Sequence, residues 1–188
     1  MLAALSLAFV TSVKADQMFD FTIANTASSG PSIWATGTLT TSDTIFANVG
    51  GTGLDGYKIT GITGQRNGDP ITGLVNNPSF PAYTTVGDVQ FDNGLIVTPL
   101  GFDFSGLYYT TLAGAGFNVY SDAGQNWEFT AGTYNGGLPE AGATQVNVTL
   151  SHVPDATSTL SLTLLGLGLM VGASRMRKNQ TGGAFIPA

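Results

Sequence analysis

Two glutamates carry the simplest catalytic chemistry that the sequence offers. Glu128 and Glu140 are the only glutamates in the chain, and two carboxyl groups held roughly 5–9 Å apart can hydrolyse a glycosidic bond. Nothing in the sequence brings these two residues together. A polysaccharide hydrolase therefore stays an alternative, and no catalytic residue is predicted.

Three aspartates lie beside segments that have the composition of turns. Asp88, Asp92 and Asp103 can offer carboxylate oxygens to calcium, which prefers oxygen ligands. The chain lacks the loop of regularly spaced Asp and Asn residues with a central glycine that binds calcium in helix–loop–helix proteins. We expect these aspartates to cap turns and to carry solvated charge. The sequence predicts neither a metal site nor a cofactor.

Nucleotide binding and triad chemistry are both disfavoured. Gly51-Thr-Gly53-Leu-Asp-Gly56 fits the dinucleotide pattern, but that pattern works only before a helix whose N–H groups meet the pyrophosphate. Here residues 57–62 have the pattern of a strand. The single histidine, His152, falls in a predicted linker, where neither a catalytic triad nor a histidine metal cluster is expected. We therefore predict a turn at the glycines and a protein that is not an enzyme.

Four aromatic residues are candidates for contact with sugar rings. Trp34, Trp127 and the pair Tyr108-Tyr109 can stack on a sugar if they face solvent. In a small domain such side chains more often pack in the core. Extracellular polysaccharide therefore remains an alternative partner.

These residues must be positioned by the segment 16–152, which has the composition of a β-protein. Glycine accounts for 26 of 188 residues, about twice its usual share of roughly 7%, and Thr, Val, Phe and Tyr are frequent. Short alternating runs between turn residues predict strands. The predicted strands are 18–23, 33–40, 57–62, 89–91, 95–97, 102–104, 107–111, 117–120, 127–130 and 145–150.

The connections between these runs favour antiparallel pairing. Asn93-Gly94 predicts a tight hairpin between strands 89–91 and 95–97, since both turn residues accept a positive φ. Strands that recur about every 8–12 residues predict an all-β domain, an antiparallel β-sandwich of jelly-roll type. The other predicted connections are loops at 76–81 and 136–143 and a linker at 151–157.

The charge of the segment 16–152 excludes one class of partner. It carries eleven acidic side chains and only two basic ones, Lys58 and Arg66, which gives a formal charge of −9 without the histidine. A surface of this sign repels phosphate backbones, so nucleic acid is not expected as a partner. The chain contains no cysteine, so no disulfide stabilises the domain.

The N-terminal segment 1–15 is predicted to be an export signal. Residues 2–10 form an apolar run, and Val13-Lys14-Ala15 fits a cleavage site after Ala15. No basic residue precedes the run, so the signal is atypical or the recorded start lies downstream of the true one. A core strand at 2–10 is the alternative.

Residues 157–174 contain no charged side chain and predict a transmembrane helix at about 158–174. As a helix rising about 1.5 Å per residue, this segment spans roughly 27 Å, close to the hydrocarbon thickness of a bilayer. Its three glycines disfavour a buried helix in a water-soluble core. Arg175, Arg177 and Lys178 follow the run, so its C-terminal end is expected on the cytoplasmic side and the β-domain outside.

The order of features near the C-terminus resembles a bacterial sorting signal. Val153-Pro154-Asp155 precedes a small polar spacer, then an apolar run containing Leu164-Leu165-Gly166-Leu167-Gly168-Leu169, then the basic cluster. This order resembles the PEP-CTERM class of signals in a Val-Pro-Asp variant. The resemblance covers 153–178, about 26 residues of 188, and a short tail, 179–188, follows it.

The resemblance implies a cellular fate for the protein. Members of this class are processed by exosortase, a membrane-embedded enzyme, so Val153, Pro154 and Asp155 would be the recognised motif. Arg175, Arg177 and Lys178 would be the cytoplasmic stop. We therefore expect an exported, non-catalytic protein that is held in the membrane in transit and then reaches the cell surface or extracellular matrix.

Overall fold

The computed structural model describes residues 16–25, 32–131 and 143–154, which lie in the first of two compact units, Met1–Val153, apart from Pro154 at the start of the second. In these ranges a short 3₁₀ turn, Val49–Gly51, is the only helical segment. The strands are β1 (Gln17–Asn25), β2 (Trp34–Phe46), β3 (Gly56–Arg66), β4 (Asp69–Leu74), β5 (Thr84–Val86), β6 (Val89–Phe91), β7 (Gly94–Val97), β8 (Leu100–Gly101), β9 (Leu107–Thr111), β10 (Gly116–Asp122), β11 (Gln125–Thr130) and β12 (Ala143–Val153).

Eight of these strands close into an antiparallel barrel. The hydrogen-bonded order is β2-β1-β12-β11-β10-β9-β4-β3, and β3 pairs back to β2. β7 and β8 extend the sheet from the first residues of β3, and β5 and β6 form a separate two-stranded sheet. The prediction of an antiparallel all-β domain is confirmed. The jelly-roll sandwich is not confirmed, because the ladders join into one closed sheet.

β1 illustrates why these sequences form strands. Phe19, Phe21 and Ile23 are buried, whereas the two residues between them are exposed. This alternation has the period of two that places successive side chains on opposite faces of a sheet. The predicted strand 18–23 therefore has Phe19, Phe21 and Ile23 on the inner face of the barrel, whereas Met18 is exposed.

The inward side chains meet in a main core inside the barrel. Burial of this much apolar surface is the principal force that favours the closed sheet over the unfolded chain. The fully or nearly fully buried members of the main core are Phe19, Phe21, Ile23, Ile33, Ala35, Leu39, Ile59, Ile62, Ile71, Leu95, Phe102, Leu107, Tyr109, Phe117, Val119 and Val146.

A second apolar group, the outer cluster, lies on the other face of β9, β10 and β11. Leu107 and Tyr109 point into the main core, so Tyr108 between them points outward. The small β5–β6 sheet covers this outward face. The buried members of the outer cluster are Val89, Phe91, Tyr108, Tyr120 and Phe129.

The predicted Asn93-Gly94 hairpin is wrong. Val89–Phe91 pairs with β5, and Gly94–Val97 pairs with β3 and β8. Asn93 does adopt a positive φ of 57°. Its buried side chain, however, accepts a hydrogen bond from the Tyr108 N–H at 2.9 Å and donates one to the Val75 carbonyl at 2.7 Å. The residue ties two segments together inside the protein.

Two further boundaries differ from the predictions. Residues 102–104 are not a strand, since the chain there turns towards β9 after the short strand β8. The predicted linker at 151–157 begins too early, because β12 continues through Val153. His152 therefore lies in a strand, and its ring packs edge-on against Phe19 with 5.3 Å between ring centroids.

The β2–β3 ladder that closes the barrel depends on a pair of glycines. Gly37 and Gly64 lie directly opposite each other, and a Cβ atom on Gly37 would collide with the Thr63 carbonyl oxygen. The two backbones therefore approach more closely than a side chain permits.

We expect Gly37→Ala to lower the free energy of unfolding by about 1–3 kcal/mol, because the backbones at this point must separate. Urea denaturation followed by tryptophan fluorescence measures the loss. Gly61→Ala on the same ladder is the matched control, since its Cβ would meet Thr40 at an ordinary 3.5 Å, and its effect should stay within about 0.5 kcal/mol. Equal stability of the two variants would contradict the steric explanation.

Candidate functional site

The predicted sorting motif begins at the end of the last strand. Val153 is the final residue of β12 and lies opposite Met18 of β1. Pro154 follows and is exposed. Five residues of the predicted processing sites lie outside the described residues: Ala15, Asp155, Arg175, Arg177 and Lys178.

The candidate sugar-stacking aromatics have different environments. Tyr108 and Tyr109 are buried, as the expectation of core packing requires. Trp127 is partly buried against the outer cluster. Trp34 is 41% exposed and is the member of this set that presents a large open surface.

A buried ion pair crosses the main core. Arg66 at the end of β3 donates from Nε to Glu128 Oε1 of β11 at 3.0 Å, and a second guanidinium nitrogen contacts the same oxygen. The Arg66 guanidinium also lies over the ring of Phe117, with 3.7 Å between its central carbon and the ring centroid. The ion pair therefore joins two strands, β3 and β11, that are not neighbours in the sheet.

Tyr109 completes this group. Its hydroxyl donates to Glu128 Oε2 at 3.2 Å. Burial, and then the negative charge of Glu128, raise the pKa of Tyr109 well above its ordinary value, and the charge of Arg66 offsets part of this rise. Tyr109 thus stays a hydrogen-bond donor. Glu128 is thus held by two partners, and Glu140 lies outside the described residues, so the alternative of a Glu128–Glu140 pair stays untested.

A second buried group consists of Asp92 and Asp103, two carboxyl groups that both cap turns. Asp92 Oδ1 accepts from the Gly94 N–H at 2.8 Å. Asp103 Oδ1 accepts from the N–H groups of Ser105 at 3.0 Å and Gly106 at 2.8 Å. The expectation of turn capping is confirmed for both residues, and these bonds fix the orientation of both carboxyl groups.

The remaining oxygens of the two carboxyl groups point to the same place. A Cβ atom on Gly50 would collide with Asp103 Oδ2 and lie 2.6 Å from Asp92 Oδ2. Gly50 has a φ of 62°, which also favours glycine. Both Oδ2 atoms are buried and have no hydrogen-bond donor among the described residues. The turn at Val49–Gly51 therefore closes directly over the acid pair.

In the described part of the chain, no basic side chain neutralises the charge of Asp92 and Asp103. Of the two basic residues there, Lys58 lies over the Phe80 ring at 5.6 Å, and Arg66 is paired with Glu128. The expectation of solvated charge is wrong for Asp92 and Asp103, whose exposed fractions are 0% and 6%. Two adjacent buried carboxylates cannot both stay ionised at low cost.

Protonation of Asp92 removes one of the two adjacent charges. Burial, and then the charge of Asp103 and a side-chain hydrogen bond with it, raise the pKa of Asp92 from 3.8 to about 8, although the Gly94 N–H works in the opposite direction. At neutral pH Asp92 is therefore protonated. Its O–H supplies the hydrogen that two acceptor oxygens lack, and the two aspartates form one hydrogen-bonded acid pair.

The acid pair lies directly beneath the Val49–Gly51 turn. Among residues 16–25, 32–131 and 143–154, no group of three or more His, Cys, Asp or Glu side chains is placed to hold a metal ion. The pair holds the segments around β7 and β9 against the Val49–Gly51 turn.

Sequence reasoning missed both buried polar groups. Arg66 and Glu128 are 62 residues apart, and no local pattern links them. The acid pair had a weak signal, because Phe-Asp precedes a glycine within four residues both at Phe91-Asp92 and at Phe102-Asp103. That repetition indicates two similar turns, but it does not show that they meet.

Comparison with known proteins adds no relative at this point. No family model, no curated protein and no solved structure matches the chain.

Proposed function

We propose that this chain is an exported, non-catalytic protein of the cell surface or extracellular matrix, delivered through a PEP-CTERM-type sorting signal. Its signal comprises Val153-Pro154-Asp155, a membrane segment at 158–174 and the basic stop at 175–178. Exosortase is its processing partner, and residues 1–15 direct export.

The observation that carries the proposal is where the barrel ends. β12 pairs with both β1 and β11 and ends at Val153, and the exposed Pro154 follows at once. Proline cannot donate to a ladder, so it suits the exit from a strand. A cut at the motif would remove no strand of the barrel, so a processed protein would keep its fold.

The net negative charge of the domain is consistent with an extracellular location. Its two basic side chains, Lys58 and Arg66, are both engaged with neighbours in the described part of the chain. Such a surface offers little attraction to nucleic acid or to anionic lipid headgroups. Membrane attachment in this proposal therefore depends on the C-terminal segment alone.

Fractionation of an exosortase-containing bacterial host tests the proposal. We expect the full chain in the surface or extracellular fraction and a chain lacking 160–178 to lose that location. Deletion of the tail 179–188 is the matched control and should change nothing. An unchanged location after deletion of 160–178 would defeat the proposal.

The motif can be tested separately from the membrane segment. Replacing Pro154 and Asp155 with alanine keeps the apolar run and the basic stop intact. We expect this variant to remain in the membrane fraction with its C-terminus uncut. Normal release to the surface would show that the motif is not what exosortase reads.

A further inference from the structure

A small cleft lies beside the outer cluster. Its volume is about 290 Å³, and it opens between the β5–β6 sheet and the outer face of β10 and β11. One side chain of β10, Asn118, and one of β11, Phe129, form part of its floor. This volume is at the lower end of the range of small-molecule pockets, of the order of 300 Å³ and above, and suits a single sugar ring.

One wall of the cleft is an exposed aromatic ring. Phe104, in the loop between β8 and β9, is 47% exposed. Its ring packs edge-on against Tyr120, with 6.0 Å between centroids. One face of a pyranose ring carries mainly C–H groups, and such a face can lie flat on an aromatic ring. Phe104 thus supplies the apolar surface that sugar recognition requires.

Polar side chains also line the cleft. Asp88 stands at the mouth, and Gln90 and Asn118 lie deeper. Asn118 Nδ2 donates to the carbonyl oxygens of Ser105 at 3.0 Å and Gln90 at 3.3 Å, which holds its amide in one orientation. These two bonds use both hydrogens of the Asn118 amide, so Asn118 can only accept from a sugar hydroxyl, whereas the Asp88 carboxylate and the Gln90 amide can bond to neighbouring hydroxyls of one sugar.

The Gln90 amide is also held by a neighbouring side chain. Gln90 Nε2 donates to Ser105 Oγ at 3.2 Å. The amides of Gln90 and Asn118 are therefore ordered before a ligand binds, and less affinity is lost to conformational entropy.

The charge of the cleft limits the ligand. Asp88 and the acidic domain around it repel uronic acids and sulfated sugars. We propose that this cleft binds one pyranose unit of a neutral polysaccharide. The inference goes beyond sorting and does not depend on it, since a purified protein can be tested for binding whatever its route to the surface.

A glycan array tests the inference with the full chain, purified in a detergent that has no sugar headgroup. The probes are neutral oligosaccharides and oligosaccharides that contain uronic acids. We expect retention on at least one neutral probe and none on the uronic acids. Phe104→Ala should weaken binding at least tenfold, because the stacking surface is lost, and Asp88→Asn should weaken it by a smaller factor.

Two control variants locate the binding surface. Leu112 is 71% exposed and does not line the cleft, so Leu112→Ala should bind like the wild type. Trp34→Ala should also leave binding unchanged. Absence of binding to every neutral probe, binding restricted to uronic acids, or loss of binding in Trp34→Ala but not in Phe104→Ala would each overturn the proposal. Phe104 and Asp88 are exposed, so circular dichroism should show that both cleft variants stay folded.

Discussion

Replacement of Arg66 with methionine should lower the free energy of unfolding by about 3–5 kcal/mol. The change keeps an apolar stem over the Phe117 ring but removes the charge that contacts Glu128. Glu128 is then left as a buried carboxylate whose only side-chain donor within the described contacts is the Tyr109 hydroxyl. The cost arises because an unpaired charge in the main core has lost water without gaining a partner.

A double variant separates the loss of charge balance from a loss of packing. Glu128→Gln in the Arg66→Met background removes the stranded charge and keeps an oxygen that can accept from Tyr109. We expect this change to recover most of the lost stability in urea denaturation of the full chain in detergent micelles. A double variant as unstable as Arg66→Met alone would show that the ion pair is not what the core requires.

Asp92→Asn should change how stability depends on pH. The unfolded chain releases the Asp92 proton near its ordinary pKa of 3.8, whereas the folded protein holds it until about pH 8. Between these values the folded state binds one proton more than the unfolded state, so the free energy of unfolding falls as pH rises, by at most about 1.4 kcal/mol per pH unit. Above pH 8 this contribution levels off at its most unfavourable value.

An asparagine at position 92 removes this dependence. Its amide can donate to Asp103 at every pH while its oxygen still accepts from the Gly94 N–H. We therefore expect Asp92→Asn to be more stable than the wild type at pH 9 and to lack the decline that Asp92 causes between pH 4 and pH 8. Asp88→Asn, which changes an exposed carboxyl, should keep that decline. A wild type and an Asp92→Asn protein with parallel pH profiles would contradict the shared proton.

Local pattern predicted much of the strand content, because side-chain alternation is a local property. Residues 107–111 were predicted with the bounds that β9 has, and residues 18–23 lie within β1. β4 was missed because Pro70 and Gly73 resemble turn residues, yet this strand completes the barrel between β9 and β3. Its place is decided by partners distant in sequence.

The architecture and the buried polar groups depend on contacts that a single sequence does not display. Closure of the barrel requires Gly37 to face Gly64, and the acid pair requires Gly50 to pass over Asp92 and Asp103. Composition shows that glycine is abundant. It does not show which glycines lie where two backbones must touch, or where a backbone must touch a carboxyl group. The predicted Asn93-Gly94 hairpin is wrong for the same reason, because strand 94–97 pairs with β3, which is distant in sequence.

The intact mass of the protein extracted from the cell surface distinguishes export and sorting from any other fate. We expect a chain that begins at Asp16 and ends close to the Val153-Pro154-Asp155 motif, with the barrel complete and the apolar run absent. A protein recovered from the cytosol with both Met1 and Ala188 still in place would contradict export and sorting together.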